Sequence, residues 1–182
     1  MLKNLLTSKV RIDLIRTFIE NTESEFYIRE LTRNLDQQIN AIRRELENLK
    51  SINFLPCREK NRKKYYSINK KFLLLNELKG FVCKTNPDVI KLYTQLNKIK
   101  EIEKVTLIGT FIQREDPVDI LVVSDLDSNN VINAIDSLIE VPAKIAVLTF
   151  DDYRYRKSVN DKFLSQIEEI PDKLEIISKI DL

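Results

Sequence analysis

The sequence predicts two domains: an α+β domain of three helices and a β-hairpin over residues 1–84, followed by an α/β domain with a small mixed sheet over residues 85–182. Three observations lead to this prediction. Apolar residues recur at helical spacing in three consecutive segments before residue 52. Two short strand-like segments then flank a basic stretch. Beyond residue 100, continuous apolar runs alternate with helical patterns, which is typical of a sheet covered by helices.

The overall composition is that of an ordinary globular protein, with 43% hydrophobic and 32% charged residues among 182. No apolar run approaches the roughly 20 residues that a membrane span needs, and the N-terminus has no signal-peptide core, so we expect a cytoplasmic protein without a membrane partner. The chain has no histidine, which excludes imidazole catalysis and most zinc sites and leaves carboxylate chemistry with magnesium. Cys57 and Cys83 have no partner motif, and we expect two small buried hydrophobic residues rather than a disulfide.

Charge is divided unequally between the two halves of the chain. Residues 1–84 contain 18 Lys and Arg against 10 Asp and Glu, a net charge of +8. Residues 85–182 contain 12 against 18, a net charge of −6. Because a polyanion is attracted to a basic surface and repelled by an acidic one, the charge pattern predicts a polyanionic partner for the first domain alone.

Two helices are predicted before the third, and the polar segment NTESE separates them. The first begins after Ser8, whose hydroxyl is suited to cap a helix N-terminus. Its apolar face consists of Val10, Leu14, Ile15 and Phe18. The second is predicted over residues 28–35, and a turn at residues 34–36 separates it from the third.

The third helix is predicted over residues 37–51 and carries the candidate contacts. Its apolar stripe, spaced 3, 4 and 3 residues apart, consists of Ile39, Ile42, Leu46 and Leu49. Its opposite face carries Gln38, Asn40, Ala41, Arg43, Arg44 and Asn48. A rod of about 22 Å fits the major groove of DNA, where Arg pairs with guanine, Asn and Gln pair with adenine, and an Ala methyl meets a thymine methyl. We expect the strongest contacts from Arg43 and Arg44 and base preference from Gln38 and Asn40.

A β-hairpin is predicted directly after this helix. Asn53 ends the helix, since Asn tolerates the left-handed conformation. Strands are predicted over residues 54–57 and 64–68. The stretch between them places four basic residues at or near the tip, Arg58, Lys60, Arg62 and Lys63. We expect these side chains to contact the DNA backbone or the minor groove.

A solvated helix face or a basic hairpin is by itself common on protein surfaces, but their order along this chain predicts binding to double-stranded DNA. The first 80 positions resemble the winged helix-turn-helix regulators of the arsenic-repressor and multiple-antibiotic-resistance type. The resemblance lies in SKVRIDLIRTF, YIRELTRNLDQQINAIRRELENLKSINFL and KYYSINKKFLLLNELKGF, and it departs at Asn53, where the family usually has Gly. It implies a transcriptional regulator that binds an operator as a homodimer, with half-sites about one helical turn apart.

The second half is predicted to alternate helices and strands. Helices are expected over residues 86–100, 129–139 and 159–168, and strands over residues 105–108, 118–123, 144–150 and, at an edge, 174–177. Here the chain resembles the minimal nucleotidyltransferase domain, in VTLIGTF, VDILVVSD, KIAVLTFDDYRYR and VNDKFL, over roughly residues 87–182. In an active member of that family, a Gly-Ser turn holds a triphosphate, an Asp-x-Asp pair binds two magnesium ions, and a later strand supplies a third acidic residue.

The chain departs from that family at the residues that catalyse the reaction. Gly109-Thr110 stands in place of Gly-Ser, and Pro117 occupies the position of the first Asp, so that Asp119 alone remains of the pair. Asp116 is adjacent to Pro117, but we do not expect it to substitute for the missing Asp, since side chains of neighbouring strand residues alternate faces. Lys144 lies where the third carboxylate is expected. One carboxylate beside a lysine does not hold two magnesium ions.

We therefore expect Gly109, Thr110 and Asp119 to be vestiges of an inactive site, with no catalytic residue, metal or cofactor, and Asp119 to cap a turn at a strand end. The inactive domain is then expected to serve dimerisation, sensing or contact with a small-molecule or protein effector. The alternative is an active metal-dependent nucleotidyltransferase tethered to the first domain.

Overall fold

The computed structural model describes residues 8–180, within which helices and two separate β-sheets, of three and four strands, form an α+β protein. The chain divides into two units, one ending at Val82 and the other beginning at Cys83. The predicted boundary after residue 84 falls at the end of the helix that contains this division, Leu75–Lys84. Residues 1–7, which bear on the expected lack of a signal peptide, and residues 181–182 lie outside the described residues.

Three helices of the first unit lie where the apolar spacing predicts them. They are α1 (Lys9–Glu20), α2 (Ile28–Asn34) and α3 (Ile39–Ser51). The hydroxyl of Ser8 accepts the backbone N–H of Arg11 at 3.2 Å and so caps α1, as expected. The core of the unit contains, from these helices, Leu14, Phe18, Leu31, Ile42, Leu46 and Leu49. Ile39, which was predicted to be the first residue of the apolar stripe of α3, is only half-buried.

The hairpin belongs to a three-stranded antiparallel sheet of order β1-β3-β2. Its strands are β1 (Phe26–Tyr27), β2 (Cys57–Lys60) and β3 (Lys63–Tyr66). Lys60 pairs with Lys63, and the two residues between them, Asn61 and Arg62, have φ angles of 52° and 58°. Left-handed conformations at both central positions define the tight turn whose twist matches a β-hairpin.

Two features of this sheet differ from the prediction. The first hairpin strand begins at Cys57 instead of residue 54, because Phe54 and Leu55 turn into the core and are fully buried. Strand β1 was not predicted, since a two-residue strand is too short to show a period in the sequence.

At the end of α3, Asn53 has a φ of 60°, which confirms the expected left-handed residue.

The second unit is built on a four-stranded mixed sheet of order β6-β5-β4-β7. Strand β5 runs parallel to β6 and antiparallel to β4, which is antiparallel to β7. After α4 (Leu75–Lys84), the elements are α5 (Pro87–Leu96), β4 (Ile102–Leu107), a 3-10 turn (Gly109–Ile112), β5 (Ile120–Ser124), α6 (Ser128–Asp136), β6 (Ile145–Leu148), α7 (Phe150–Ser158), α8 (Lys162–Glu168) and β7 (Leu174–Ser178).

Both faces of this sheet are covered, which explains the continuous apolar strands. Val105, Leu107 and Val122 pack with α5 and α6 on one face. Leu121 and Val123 pack on the other face with the fully buried Tyr153 of α7 and with α8. The helix predicted over residues 159–168 begins later, at Lys162. The helix before it, α7, was not predicted, because Tyr153 is its one buried residue and a single buried residue forms no apolar stripe.

An ionic cluster around the buried Lys104 connects α7 and α8 to this sheet. The ammonium of Lys104 on β4 lies 2.9 Å from Glu175, 3.3 Å from Glu168 and 3.2 Å from the hydroxyl of Tyr153. Burial would lower the pKa of Lys104, but the hydrogen bonds with Glu175 and Tyr153 and the charge of Glu168 raise it well above its usual range. Lys104 therefore stays charged, and its cluster is a structural one.

Both cysteines are free thiols and half-buried, less enclosed than expected. Burial raises the pKa of the Cys83 thiol to about 11, which keeps it protonated at neutral pH. Among the helices of residues 8–180, none combines the length and the apolar character that crossing a bilayer requires.

Candidate nucleic-acid interface

Helix α3 is fixed to α1 by a buried carboxylate. Glu45 is only 2% exposed, and its oxygens accept hydrogen bonds from Nε of Arg11 at 2.8 Å, the Ser8 hydroxyl at 3.0 Å and the amide of Asn48 at 3.2 Å. Burial alone would raise the pKa of Glu45, but these hydrogen bonds, chiefly that of Arg11, hold it below its usual value. The ionised carboxylate thus fixes α3 against α1.

The face of α3 that was predicted to read DNA points away from the core. Gln38, Asn40, Arg43 and Arg44 are exposed, and Ala41 is half-buried. The guanidinium of Arg44 approaches Glu45 at 3.5 Å but remains largely in solvent. Neither arginine is packed inside the molecule, so both side chains are accessible to a ligand.

A groove of about 770 Å³ lies between α3, the start of α2 and the tip of the hairpin. Among the described residues it is lined by Tyr27, Ile28, Arg29, Ile39, Arg43, Glu47, Asn61, Arg62, Lys63, Lys64 and Tyr66. We call this feature the basic groove, because five of these residues are cationic and one is acidic. It brings together three of the predicted contacts, Arg43 from the helix and Arg62 and Lys63 from the hairpin.

The other predicted contacts lie outside the lining of the basic groove. They are Gln38, Asn40, Ala41 and Arg44 of α3 and its N-cap, and Arg58 and Lys60 of β2. Arg58 is also not at the tip: it pairs with Tyr65 across the hairpin, and its Nε donates to Glu25 at 3.0 Å. Because the turn is formed by Asn61 and Arg62, Arg58 lies at the base of the hairpin, where a carboxylate compensates its charge.

Eight of the residues that line the basic groove were not among the predicted contacts, and four of these affect its charge or support its tip. Arg29 and Lys64 add cations, and both lie within predicted elements, the second helix and the second strand of the hairpin. Tyr27 supports the tip, since the Lys63 ammonium lies 4.9 Å from the centre of its ring. Glu47 is the acidic member, and a pattern of cations gives no signal for it.

In the second unit, the three expected vestiges meet at one place. The two oxygens of Asp119 accept the backbone N–H groups of Thr110 and Lys144, each at 2.8 Å, and the residue is only 4% exposed. Gly109 has a φ of 53°, and a Cβ there would lie 2.2 Å from the Asp119 carboxylate. The Asp119 carboxylate thus caps two backbone N–H groups just before β5 begins, and position 109 has room only for glycine.

Hydrogen bonding determines the charge state of Asp119. Burial would raise the pKa of its carboxyl, but the N–H groups of Lys144 and Thr110 outweigh burial and lower the pKa below the ordinary 3.8. The adjoining cleft of about 430 Å³ is lined by Thr110, Arg114, Glu115, Asp116, Asp119, Pro142, Ala143 and Lys144. Within residues 8–180, no three acidic or cysteine side chains are grouped as a metal site requires.

Comparisons of the chain with protein-family models, with curated proteins and with solved structures found no match. Its function is therefore inferred from the geometry and charge of the described residues.

The role of Asp119 predicts a pH-dependent loss of stability in Asp119→Asn. The new amide places an N–H donor against a backbone N–H, so we expect the free energy of unfolding in urea to fall by about 1–3 kcal/mol at pH 7. Because the folded pKa lies below the unfolded value, this stabilisation is complete above pH 3.8 and is lost as the pH falls through the folded pKa. The difference between the two proteins should therefore shrink in acid.

The matched control for this measurement is Asp136→Asn, which changes an exposed residue of α6. We expect it to alter the free energy of unfolding by less than about 0.5 kcal/mol. Equal stability of Asp119→Asn and the wild type at pH 7 would contradict the capping role.

Proposed function

We propose that the first unit is a winged helix-turn-helix module that binds double-stranded DNA, and that the protein is a transcriptional regulator acting in the cytoplasm. The observation that carries the proposal is the basic groove, in which Arg43 of α3 and the cationic tip of the hairpin face the same space. A phosphate backbone requires such a continuous cationic surface.

The dimensions of α3 also favour this proposal. Its 13 residues form a rod of about 20 Å, and the major groove admits a single helix. α2 and the turn before α3 are the remaining parts of a helix-turn-helix, in which the second helix contacts base edges. The hairpin is then the wing, and its tip reaches the sugar-phosphate backbone beside the helix.

Each predicted contact has a role in this proposal. Arg43 pairs with guanine from within the basic groove, and Arg44, Gln38, Asn40 and Ala41 contact bases or phosphates along the outer face of α3. Arg62, Lys63 and Lys64 bind phosphates. Lys60 lies beside them, whereas Arg58 contributes less because its ion pair with Glu25 must first be broken.

We infer that the protein binds its operator as a homodimer. Two-fold symmetric regulators contact two half-sites about 34–36 Å apart, so the operator is expected to be a pseudo-palindrome. The second unit is proposed to be a nucleotidyltransferase-like α/β domain that has lost catalysis and serves dimerisation, sensing or contact with an effector. An effector regulates DNA affinity only if it binds the DNA-bound and DNA-free forms unequally.

The proposal predicts that Arg43→Ala weakens binding to the operator by roughly 5- to 150-fold, the value of one bidentate arginine–guanine pair. The double variant Arg43→Ala/Arg44→Ala should lose specific binding altogether. The operator is first selected from a random duplex library, and affinity is then measured by gel shift. Arg16→Ala, which removes an arginine from α1, is the matched control. Unchanged specificity of the double variant would disprove the role of α3.

Substitutions at the tip of the hairpin are expected to affect DNA binding differently from those in α3. Replacing Arg62, Lys63 and Lys64 by Ala should weaken binding to all DNA sequences alike, because phosphates carry no sequence information. The slope of log affinity against log salt should fall by about 0.9 for each phosphate that the variant no longer neutralises. Lys71→Ala, which removes an exposed charge outside the basic groove, should leave the slope unchanged. An unaltered slope in the triple variant would show that the tip does not contact DNA.

The second unit predicts a negative result in a transferase assay. Purified protein incubated with labelled nucleoside triphosphates and Mg²⁺ or Mn²⁺ should incorporate no label, because Asp119 is buried and no three acidic side chains of residues 8–180 are grouped to hold a metal ion. A nucleotidyltransferase of established activity serves as the positive control. Label that is incorporated by the wild type and absent with folded Asp119→Asn would instead make this unit an enzyme.

A further inference from the structure

The basic groove contains one carboxylate whose presence phosphate binding does not explain. Glu47 lies on α3 one turn beyond Arg43, and its side chain is 55% exposed. It lines the groove together with five cations. A carboxylate facing a phosphate backbone is repelled, and it reduces the field that attracts the polyanion. A DNA partner other than phosphate would account for a carboxylate at this position.

The edges of the DNA bases provide such a partner. In the major groove, cytosine presents its N4 amino group as a donor, and glutamate is a side chain that accepts from it. Guanine presents only acceptors there, which a carboxylate cannot bind. A carboxylate beside cationic residues can therefore favour one base over another, although it weakens attraction to the backbone.

Two side chains of the protein contact the carboxylate of Glu47. The hydroxyl of Tyr66 on β3 donates to Oε1 of Glu47 at 3.4 Å, and Tyr66 itself is only 1% exposed. Burial, followed by the nearby Cys57 and Glu47, raises the pKa of Tyr66 to about 12, so its hydroxyl remains a donor at neutral pH. On the solvent side, the ammonium of Lys50 lies 3.5 Å from Oε2.

The spacing of Glu47 and Arg43 suits adjacent base pairs. Residues four apart lie on the same face of a helix, about 6 Å apart along its axis. Base pairs are about 3.4 Å apart along DNA, so two such side chains reach bases one or two steps apart. We propose that Glu47 is a specificity-determining residue that selects cytosine, one or two base pairs from the guanine bound by Arg43. This inference rests on the DNA-binding function proposed above.

The test is the base preference of Glu47→Gln, measured by selection from a random duplex library and compared with the wild type. Glutamine pairs with adenine through N6 and N7, so the preferred base at one position should change from cytosine to adenine. We expect the wild type to prefer cytosine there by roughly 5- to 150-fold. Because Gln retains an acceptor for the Tyr66 hydroxyl, the variant preserves the contact that a purely structural Glu47 would make.

Two further variants separate base selection from charge and from positioning. Glu59→Gln removes the same charge from an exposed residue of β2, outside the lining of the basic groove, and should raise affinity for all sequences without changing the preferred base. Tyr66→Phe removes the donor that orients Glu47, and should broaden the preference at the same position only. Urea unfolding verifies that each variant is folded before its preference is measured.

The outcomes distinguish this inference from the function on which it rests. If the wild type binds no duplex DNA at low salt, both are overturned. If the wild type selects a sequence and Glu47→Gln selects the same one, the role of Glu47 is overturned while DNA binding stands. A Glu47→Gln variant that only gains affinity, as Glu59→Gln is expected to do, overturns it as well. A change confined to one position supports it.

Discussion

The geometry of the first unit depends on the ionised, buried carboxylate of Glu45. A carboxylate removed from water is tolerated only when hydrogen bonds replace its hydration, and Arg11, Ser8 and Asn48 provide them. Two of these donors belong to α1 or cap it, so the interaction fixes the position of α3 as well as neutralising a charge. Hydrophobic burial holds the helices together but does not depend on direction, whereas these hydrogen bonds require particular distances and angles between the helices. Because Arg43 and Glu47 of α3 line the basic groove, these bonds also fix one side of it.

The apolar elements could be predicted from the sequence, whereas the long-range polar contacts could not. The buried residues Ile42, Leu46 and Leu49 follow from helical spacing because burial is periodic on a helix. Glu45 lies beside that stripe and was overlooked, since its partner Arg11 is 34 positions earlier in the chain. Similarly, the capping role of Asp119 was expected, but its donors belong to backbone positions that only the folded chain brings together.

Short elements escaped prediction for a different reason. Strand β1 has two residues and α7 buries a single side chain, so neither repeats a pattern often enough to be recognised. The hairpin was predicted, but its first strand was placed too early in the chain and its second strand too late. The register follows from a turn at Asn61 and Arg62, and arginine at such a position is not one of the usual signals for a tight turn. Three of the five cations that line the basic groove were therefore predicted, whereas Arg29, Lys64 and the carboxylate of Glu47 were not.

The turn at Asn61 and Arg62 has a consequence for association. Both residues hold left-handed backbone angles without being glycine. This conformation costs roughly 1–2 kcal/mol at Arg62 and less at Asn61, because asparagine tolerates it. A glycine pair would remove this strain but would leave the loop free to sample many conformations and would carry no guanidinium. With its backbone restricted, the tip loses its conformational entropy when the chain folds rather than when a ligand arrives. The hairpin is thus preorganised, and the free energy gained when its tip attracts a ligand is not reduced by the cost of ordering a loop.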